Sequence, residues 1–401
     1  MKSNACTFRI RHFFIFFFSA YLIGIPLFAE EEKVLVDKQN AINNKVKFGA
    51  FVDTYYSYNN NRPKAKERNY TTQAIRNQEF NINLLHIEAS VEEERYRGRI
   101  AMHWGTSVIA NTAAEVQKDN SSNQVSTRNI QEAFVGVRLF KRTWLDAGVF
   151  FGNIGHESWI SQNNVNYTRA LALDYVPYYS SGVRLQHSVS DKLSFQVQIL
   201  NGWQNITDNN KDKAFGSQIK YKFTPTLTLT LNQFVGNEAA NFERKQYRFY
   251  NNTILEWNFF DQWSLAFQFD IGAQKAKESL SYEPWLSQIN PSLPIYRSEE
   301  AKAYRQWYQG TIWLSYRINE DLRVALRAER MYDPLQVVAS TNTRNGFITN
   351  GYTATLDILS FDPAMLRIEY VYRRSRDAIF DYQSRSSQKE DLVVFAFSMK
   401  F

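Results

Sequence analysis

Cysteine is almost missing from this 401-residue chain: the single one, Cys6, lies ahead of an apolar stretch near the N-terminus. One cysteine makes no disulfide within a chain, and Cys6 stands too early to be the lipidated residue left by a cleaved leader. Histidine is nearly as scarce. Four of the five follow residue 29, namely His86, His103, His156 and His187. None sits in a metal-ligand pair or beside a nucleophile motif, so no catalytic residue, metal or cofactor is expected. Long hydrophobic runs are lacking as well, and after residue 30 nothing approaches the roughly 20 apolar residues of a membrane helix. Aromatics nevertheless reach 15%, with 30 Phe and 23 Tyr, while the mean hydropathy is -0.45. Apolar side chains are therefore spread through the chain in alternation.

The N-terminus has the form of a secretory leader. Lys2, Arg9 and Arg11 precede an apolar stretch over 13–25, and Leu27-Phe28-Ala29 offers a small residue for cleavage. The expected organisation is a signal peptide over 1–29, a polar lead-in over 30–45 too short to fold as a plug, and one domain over 46–401. Much of the excess of 47 Lys+Arg over 40 Asp+Glu belongs to the leader, and no nucleic-acid partner is expected.

From residue 46 onward, segments of alternating hydrophobicity recur between turn formers, as in barrel strands roughly 10 residues long. Sixteen are predicted, from 46–58 to 392–401, among them 79–91, 95–109, 144–155 and 193–203. Their connections alternate in length: tight at 92–94, 140–143, 190–192, 224–225, 260–262, 319–321 and 360–364, long between. Tight hairpins on one side and long loops on the other predict an all-β fold, a closed antiparallel transmembrane barrel. Closure is required because hydrocarbon pairs with no backbone N–H or C=O, so a spanning sheet tolerates no free edge.

The stretch T-L-T-L-T-L at 226–231 and the set Trp263, Leu265, Phe267, Phe269, Ile271 give each strand one lipid face and one polar, inward face. In the second strand the phase changes between Leu84 and Ile87, predicting a bulge near Leu85. Tyr55, Tyr56, Tyr58, Trp144, Trp257, Phe259, Trp263, Tyr316, Tyr370 and Tyr372 suit interfacial girdles. The inward phase is rich in arginine: Arg97, Arg99 and His103 in one strand, Arg327 and Arg367 in others, with fewer acids such as Asp53, Glu329, Asp357 and Glu369. Left unpaired, Arg97, Arg99, Arg327 and Arg367 would favour anions, whereas pairing across neighbouring strands, for instance of Arg327 or Arg367 with Glu329 or Glu369, would cancel much of that field.

Several stretches carry a resemblance. F-G-A-F-V-D-T-Y-Y-S-Y-N at 48–59, E-F-N-I-N-L at 79–84, G-H-E at 155–157, N-Y-T-R-A-L at 166–171, N-G-W-Q-N-I-T-D-N-N-K at 201–211 and F-V-G-N-E at 234–238 together resemble the OmpL-like beta-barrel porins of Gram-negative bacteria. The terminal D-L-V-V-F-A-F-S-M-K-F, ending on Phe401, resembles the signal by which the outer-membrane barrel assembly machinery recognises its clients. The resemblance implies a multi-pass protein of the outer membrane, surrounded by its lipid and passing small polar or anionic solutes. By analogy with porins of similar strand number it implies a homotrimer. The third long loop, 156–178, is expected to bend into the lumen, bringing Glu157, Asn166, Arg169 and Asp174 to a constriction. The alternative reading is a surface adhesin whose loops bind a partner and whose barrel is only an anchor.

Overall fold

The computed structural model describes residues 45–115, 127–241, 243, 245–275 and 304–401. The expected leader, nearly all of the lead-in and the outer loop over 276–303 lie outside the described residues. The first eight barrel strands are β1 (Lys47–Asn59), β2 (Phe80–Glu92), β3 (Tyr96–Trp104), β4 (Ile130–Phe140), β5 (Thr143–Phe151), β6 (Tyr179–Ser188), β7 (Leu193–Leu200) and β8 (Ala214–Lys222). The next are β9 (Leu227–Asn237), β10 (Tyr247–Phe259), β11 (Trp263–Lys275), β12 (Tyr304–Arg317), β13 (Leu322–Asp333), β14 (Phe347–Ile358) and β15 (Ala364–Ser375). A small hairpin, β16 (Phe380–Tyr382) and β17 (Arg385–Ser387), precedes the last strand, β18 (Lys389–Lys400). Apart from that hairpin the strands form one closed barrel of sixteen, all neighbours in sequence order, with β18 set between β15 and β1. The seam runs in antiparallel register from Phe51 opposite Lys400 to Asn59 opposite Leu392, and Phe401 N–H donates to the Ala50 carbonyl at 2.9 Å.

The seven tight turns and the longer opposite loops fall where the sequence places them. Side chains close several turns. Asn319 Oδ1 accepts from the backbone of Asp321 and Leu322 at 2.9 and 2.8 Å, and Ser190 Oγ does the same for Lys192 and Leu193 at 3.2 and 3.1 Å. The outer face is greasy: Phe267, Phe269, Ile271, Phe395 and Phe397 are all exposed. Near the tight turns Trp263 lies 4.5 Å from Tyr316 and stacks at 6.2 Å on Phe259; toward the long loops Tyr308 stacks on Tyr332 at 4.7 Å. These are the two girdles of a membrane barrel.

The break in β2 is present: Phe80 and Ile82 are exposed, then Leu84 is buried, and from Ile87 the exposed phase is odd. Three expectations need correction. β3 stops at Trp104 rather than running to 109, because Gly105 adopts φ +130 with Asn83 O only 2.3 Å from where a Cβ would be. A short helix, α1 (Thr106–Asn111), follows with Val108 buried and Ile109 exposed. Tyr55 and Trp144 point inward rather than into a girdle, since they share phase with Asp53 and Asp146, which are fully buried. The closing strand begins at Lys389, not Leu392, so Glu390 belongs to the barrel wall.

This topology sets the sides. With Cys6→Ser as background, Lys64→Cys in the β1–β2 loop is expected to react with an impermeant maleimide on intact cells, and Glu320→Cys in the β12–β13 turn only after the outer membrane is opened. The opposite labelling pattern would invert the barrel.

Candidate functional site

After β5 the chain turns inward rather than out. Gly155 takes φ +103, a conformation that favours glycine, where the two limbs of the segment 152–178 come together with Leu173 packed against it. Glu157 joins those limbs to the wall: its carboxylate accepts from Ala170 N at 2.9 Å and from Trp313 Nε1 at 2.7 Å, and Arg327 Nη1 lies 3.5 Å away. Asn164 locks a turn by bonding both Ser158 N at 2.7 Å and Ser158 O at 2.8 Å.

The barrel wall then holds the segment from three directions. On the β13–β15 side, Arg327 donates to the Thr168 carbonyl, Glu369 accepts from the backbone of Tyr167 and Thr168 at 2.5 and 2.8 Å, and Arg367 donates to the carbonyls of Ser161 and Asn164 at 3.1 and 2.9 Å. From β1, Asp53 accepts from Tyr167 OH and Ser161 Oγ, both at 3.0 Å. On the β9–β11 side, Asn232, Asn252 and Gln268 accept from Asn153, Gly155 and His156 at 3.0, 3.4 and 2.8 Å. Apolar packing accompanies each clamp. Ile154, Leu173 and Val176 pack with Phe234, Tyr250, Trp307 and Trp313, and Trp159 and Ile160 with Phe51 and Leu84.

Opposite these clamps, β3–β6 carry a different arrangement. Arg97 grips Asp146 with two bonds of 2.8 and 2.6 Å, and Arg184 reaches the same carboxylate at 2.7 Å. Arg99 Nε lies 2.8 Å from Glu132, and the guanidinium also bonds Glu88. In the first set the cation is the exposed partner, with side chains 17% exposed for Arg97 against 0% for Asp146; in the second Arg99, at 31%, covers Glu132 at 5% but shares the surface with Glu88 at 25%. Trp144 lies under Arg97 and Arg138, at 4.5 and 4.8 Å from ring centre to guanidinium.

Residues 45–401 match the sequence family described as "Putative beta-barrel porin-2, OmpL-like". The chain belongs to this family. No curated protein matches it by sequence at a significant level. Its fold is that of solved porins: the anion-selective porin from Comamonas acidovorans (TM-score 0.56, 9% identity, covering 89% of this chain and 99% of that one) and the outer membrane channel DcaP of Acinetobacter baumannii (0.54, 12%, 89% and 97%). The trimer form of OmpT from Vibrio cholerae is similar too (0.52, 9%, 89% and 99%). The protein is an outer-membrane porin of a Gram-negative cell, and both family and fold are those of a channel.

In this porin the residues singled out by sequence are not one cluster. Arg97 and Arg99 stand on the β3 wall. Asn166 is buried with its amide on Thr355 at 2.6 Å, Arg169 is buried against the Tyr178 ring at 3.7 Å, and His103 is buried with Nε2 3.0 Å from the Arg128 carbonyl. Of the two arrangements open from phase alone, these arginines take the paired one. Arg97, Arg99, Arg327 and Arg367 all face carboxylates, and Arg327 and Arg367 are buried besides. Glu88 and Glu390 escaped the sequence reading, the first because it follows the phase break of β2 and the second because it was placed in a loop. Glu390 pairs with Arg68 at 3.1 Å, fastening the β1–β2 loop over the wall. Among the described residues no group of three or more His, Cys, Asp or Glu side chains is placed to hold a metal. Phe401 is exposed at the seam.

Asp174, at the far limb of the inward segment, accepts from Thr72 N at 3.2 Å and Thr72 Oγ1 at 2.6 Å. Burial pushes its carboxyl up to about 6, against the pull of Arg373. A raised carboxylate favours the docked segment when protonated, so docking strengthens as pH falls through about 6 toward the ordinary value of 3.8. Channel opening is accordingly expected to decrease between about pH 7.5 and pH 5, and Asp174→Asn to lose that part of the dependence; single-channel recordings of the two proteins at both pH values test it.

Proposed function

We propose that this porin passes small polar solutes by passive diffusion with a modest preference for anions, and that the inward segment 152–178 sets its constriction. The observation that carries the preference is the layered pairing on β3–β6, where the guanidinium groups of Arg97 and Arg99 are partly exposed over the buried carboxylates of Asp146 and Glu132, with Glu88 the one partner carboxylate beside them at the surface. A partly exposed cation over a buried carboxylate leaves a short-range field that attracts anions, screened beyond roughly 8 Å at physiological salt. Arg97, Arg99 and Arg184 belong to that wall. Arg327 and Arg367, with Glu157, Asn166, Arg169, Asp174 and His103, position the segment, and solutes meet them only through the width it leaves. The Comamonas acidovorans porin is described as anion-selective, a precedent within the fold and not for any residue. The trimer form of Vibrio cholerae OmpT supports a homotrimer in the same way.

Planar-bilayer recording tests this reading. The wild type is expected to give stable ohmic steps and an anion-selective zero-current potential under a salt gradient. Deleting 161–170 should raise the step size, and Arg97→Gln/Arg99→Gln should lower anion selectivity with the step nearly unchanged. A silent, correctly folded barrel would favour the adhesin alternative; a double variant with wild-type selectivity would remove these arginines from the account.

Phe401 completes the proposal as the mark read by the assembly machinery. Its side chain is exposed and its backbone closes only the end of the seam, so its removal is expected to lower the amount of barrel in the outer membrane far more than the melting temperature of the barrel that does assemble. Normal surface levels of the truncated chain would end that reading.

A further inference from the structure

We propose that the lipid-side wall formed by β8, β9 and β10 is the face on which a second copy of this chain docks. Three polar side chains stand there in direct cross-strand register: Ser217 opposite Gln233, and Gln233 opposite Asn251. They point outward, since their neighbours Gly216, Asn232 and Asn252 are the buried, inward ones. An apolar row of Phe215, Val235 and Phe249 borders them toward the loops, and Ile219 and Leu231, with Thr253 beside them on β10, border them toward the turns. Their depth follows from the strands. Each lies six positions from a residue at the turn-side margin, Phe223, Leu227 or Trp257. Six positions are roughly 20 Å of strand, or roughly 15 Å of height at the usual tilt, about the middle of an apolar band ~25 Å tall.

At that depth neither water nor a lipid headgroup reaches them. Within the chain the row is poorly satisfied: Ser217 Oγ lies 3.4 Å from Gln233 Oε1 and Thr253 Oγ1 lies 3.4 Å from Asn251 Oδ1, both at the limit of a hydrogen bond. Among the described residues the amide N–H groups of Gln233 and Asn251 have no acceptor. Amides facing hydrocarbon without partners are costly, and acyl chains cannot supply any. A second copy can. It inserts in the same orientation, so it brings the same row to the same depth, and each amide offers both a donor and an acceptor to its counterpart. A groove of about 930 Å³ along this side of the barrel takes in the polar row, with Ile199, Phe215, Val235 and Phe249 among its lining. The inference rests on the outer-membrane reading of the barrel and is independent of what the pore conducts.

The test uses the whole chain with Cys6→Ser. Single cysteines at Ser217, Gln233 and Asn251 are introduced in turn, with Ile368→Cys on the apolar β15 wall as control, and cells are oxidised before extraction. Disulfide-linked dimers are expected from at least one of the three and none from Ile368→Cys. Gln233→Leu/Asn251→Leu, whose barrel is checked by heat-modifiable migration, is expected to run as monomer in detergent by native mass spectrometry where the wild type is oligomeric. A monomeric wild type, equal cross-linking from Ile368→Cys, no cross-link at any of the three positions, or an undiminished oligomer in the leucine variant would each overturn the proposal. Conductance of the same variants keeps the two readings apart, because a conducting pore that never cross-links refutes the docking face and leaves the channel standing.

Discussion

Hydrocarbon offers no partner for a peptide group, and the architecture is arranged around that fact. β1 must meet β18 because a free edge in the membrane would strand a row of N–H and C=O groups, each costing several kcal/mol. Closure in turn divides every strand into two faces, one for lipid and one for the lumen. The lumen face is then obliged to satisfy its own polar groups. Asn232, Asn252 and Asp270 do so as a continuous cross-strand ladder, with bonds of 2.7 and 2.5 Å, and the same ladder receives the Asn153 side-chain amide and the Gly155 N–H of the inward segment. The segment is thus a consequence of the closed wall, since it supplies partners for an interior that sixteen strands make too wide to fill with side chains alone.

Electrostatics inside the barrel follow from which charges keep water. Arg327, buried between Glu157 and Glu329, and Arg367, buried on Asp357, have surrendered solvation and regain it through several charge-assisted hydrogen bonds each. Removing one partner from such a pair typically costs about 3–5 kcal/mol, so these residues hold the segment in place and present little field to a solute. Arg97 and Arg99 retain partial contact with water and sit above buried carboxylates. Identical residue types on identical phases therefore take opposite roles, decided by whether the inward segment covers them.

That division also marks what was legible beforehand. Barrel class, strand number and the sides of the turns follow from alternation and loop length, which are local. The break in β2 was visible as a change of phase between Leu84 and Ile87. The end of β3 was not, because Trp104 and Val108 keep the strand period while Gly105 redirects the backbone and Thr106–Asn111 coils into a helix. Phase places arginines inside the barrel but says nothing of partners. Asp146 serves both Arg97 and Arg184 through contacts 49 and 38 residues apart, and Glu369 meets Thr168 across 201. Such pairings appear only when strand register and the path of one loop are known.

Alternation fails at mid-height on β8–β10, and the failure has a physical reading. Ser217-Gln218, Asn232-Gln233 and Asn251-Asn252 are adjacent polar pairs on three neighbouring strands, so both faces of the sheet are polar there. The inward member of each pair is accounted for by the lumen network: Gln218 donates to Asn232, and Asn232 to Asn252, at 2.8 and 2.7 Å. The outward members have no comparable network. A wall facing only lipid would be more stable with apolar side chains at all three, as in neighbouring β11, where Phe269 and Ile271 face outward at this depth. Holding amides in hydrocarbon is tolerable only when another polar surface at that depth meets them, and the chain most certain to carry such a surface in the same membrane is its own copy.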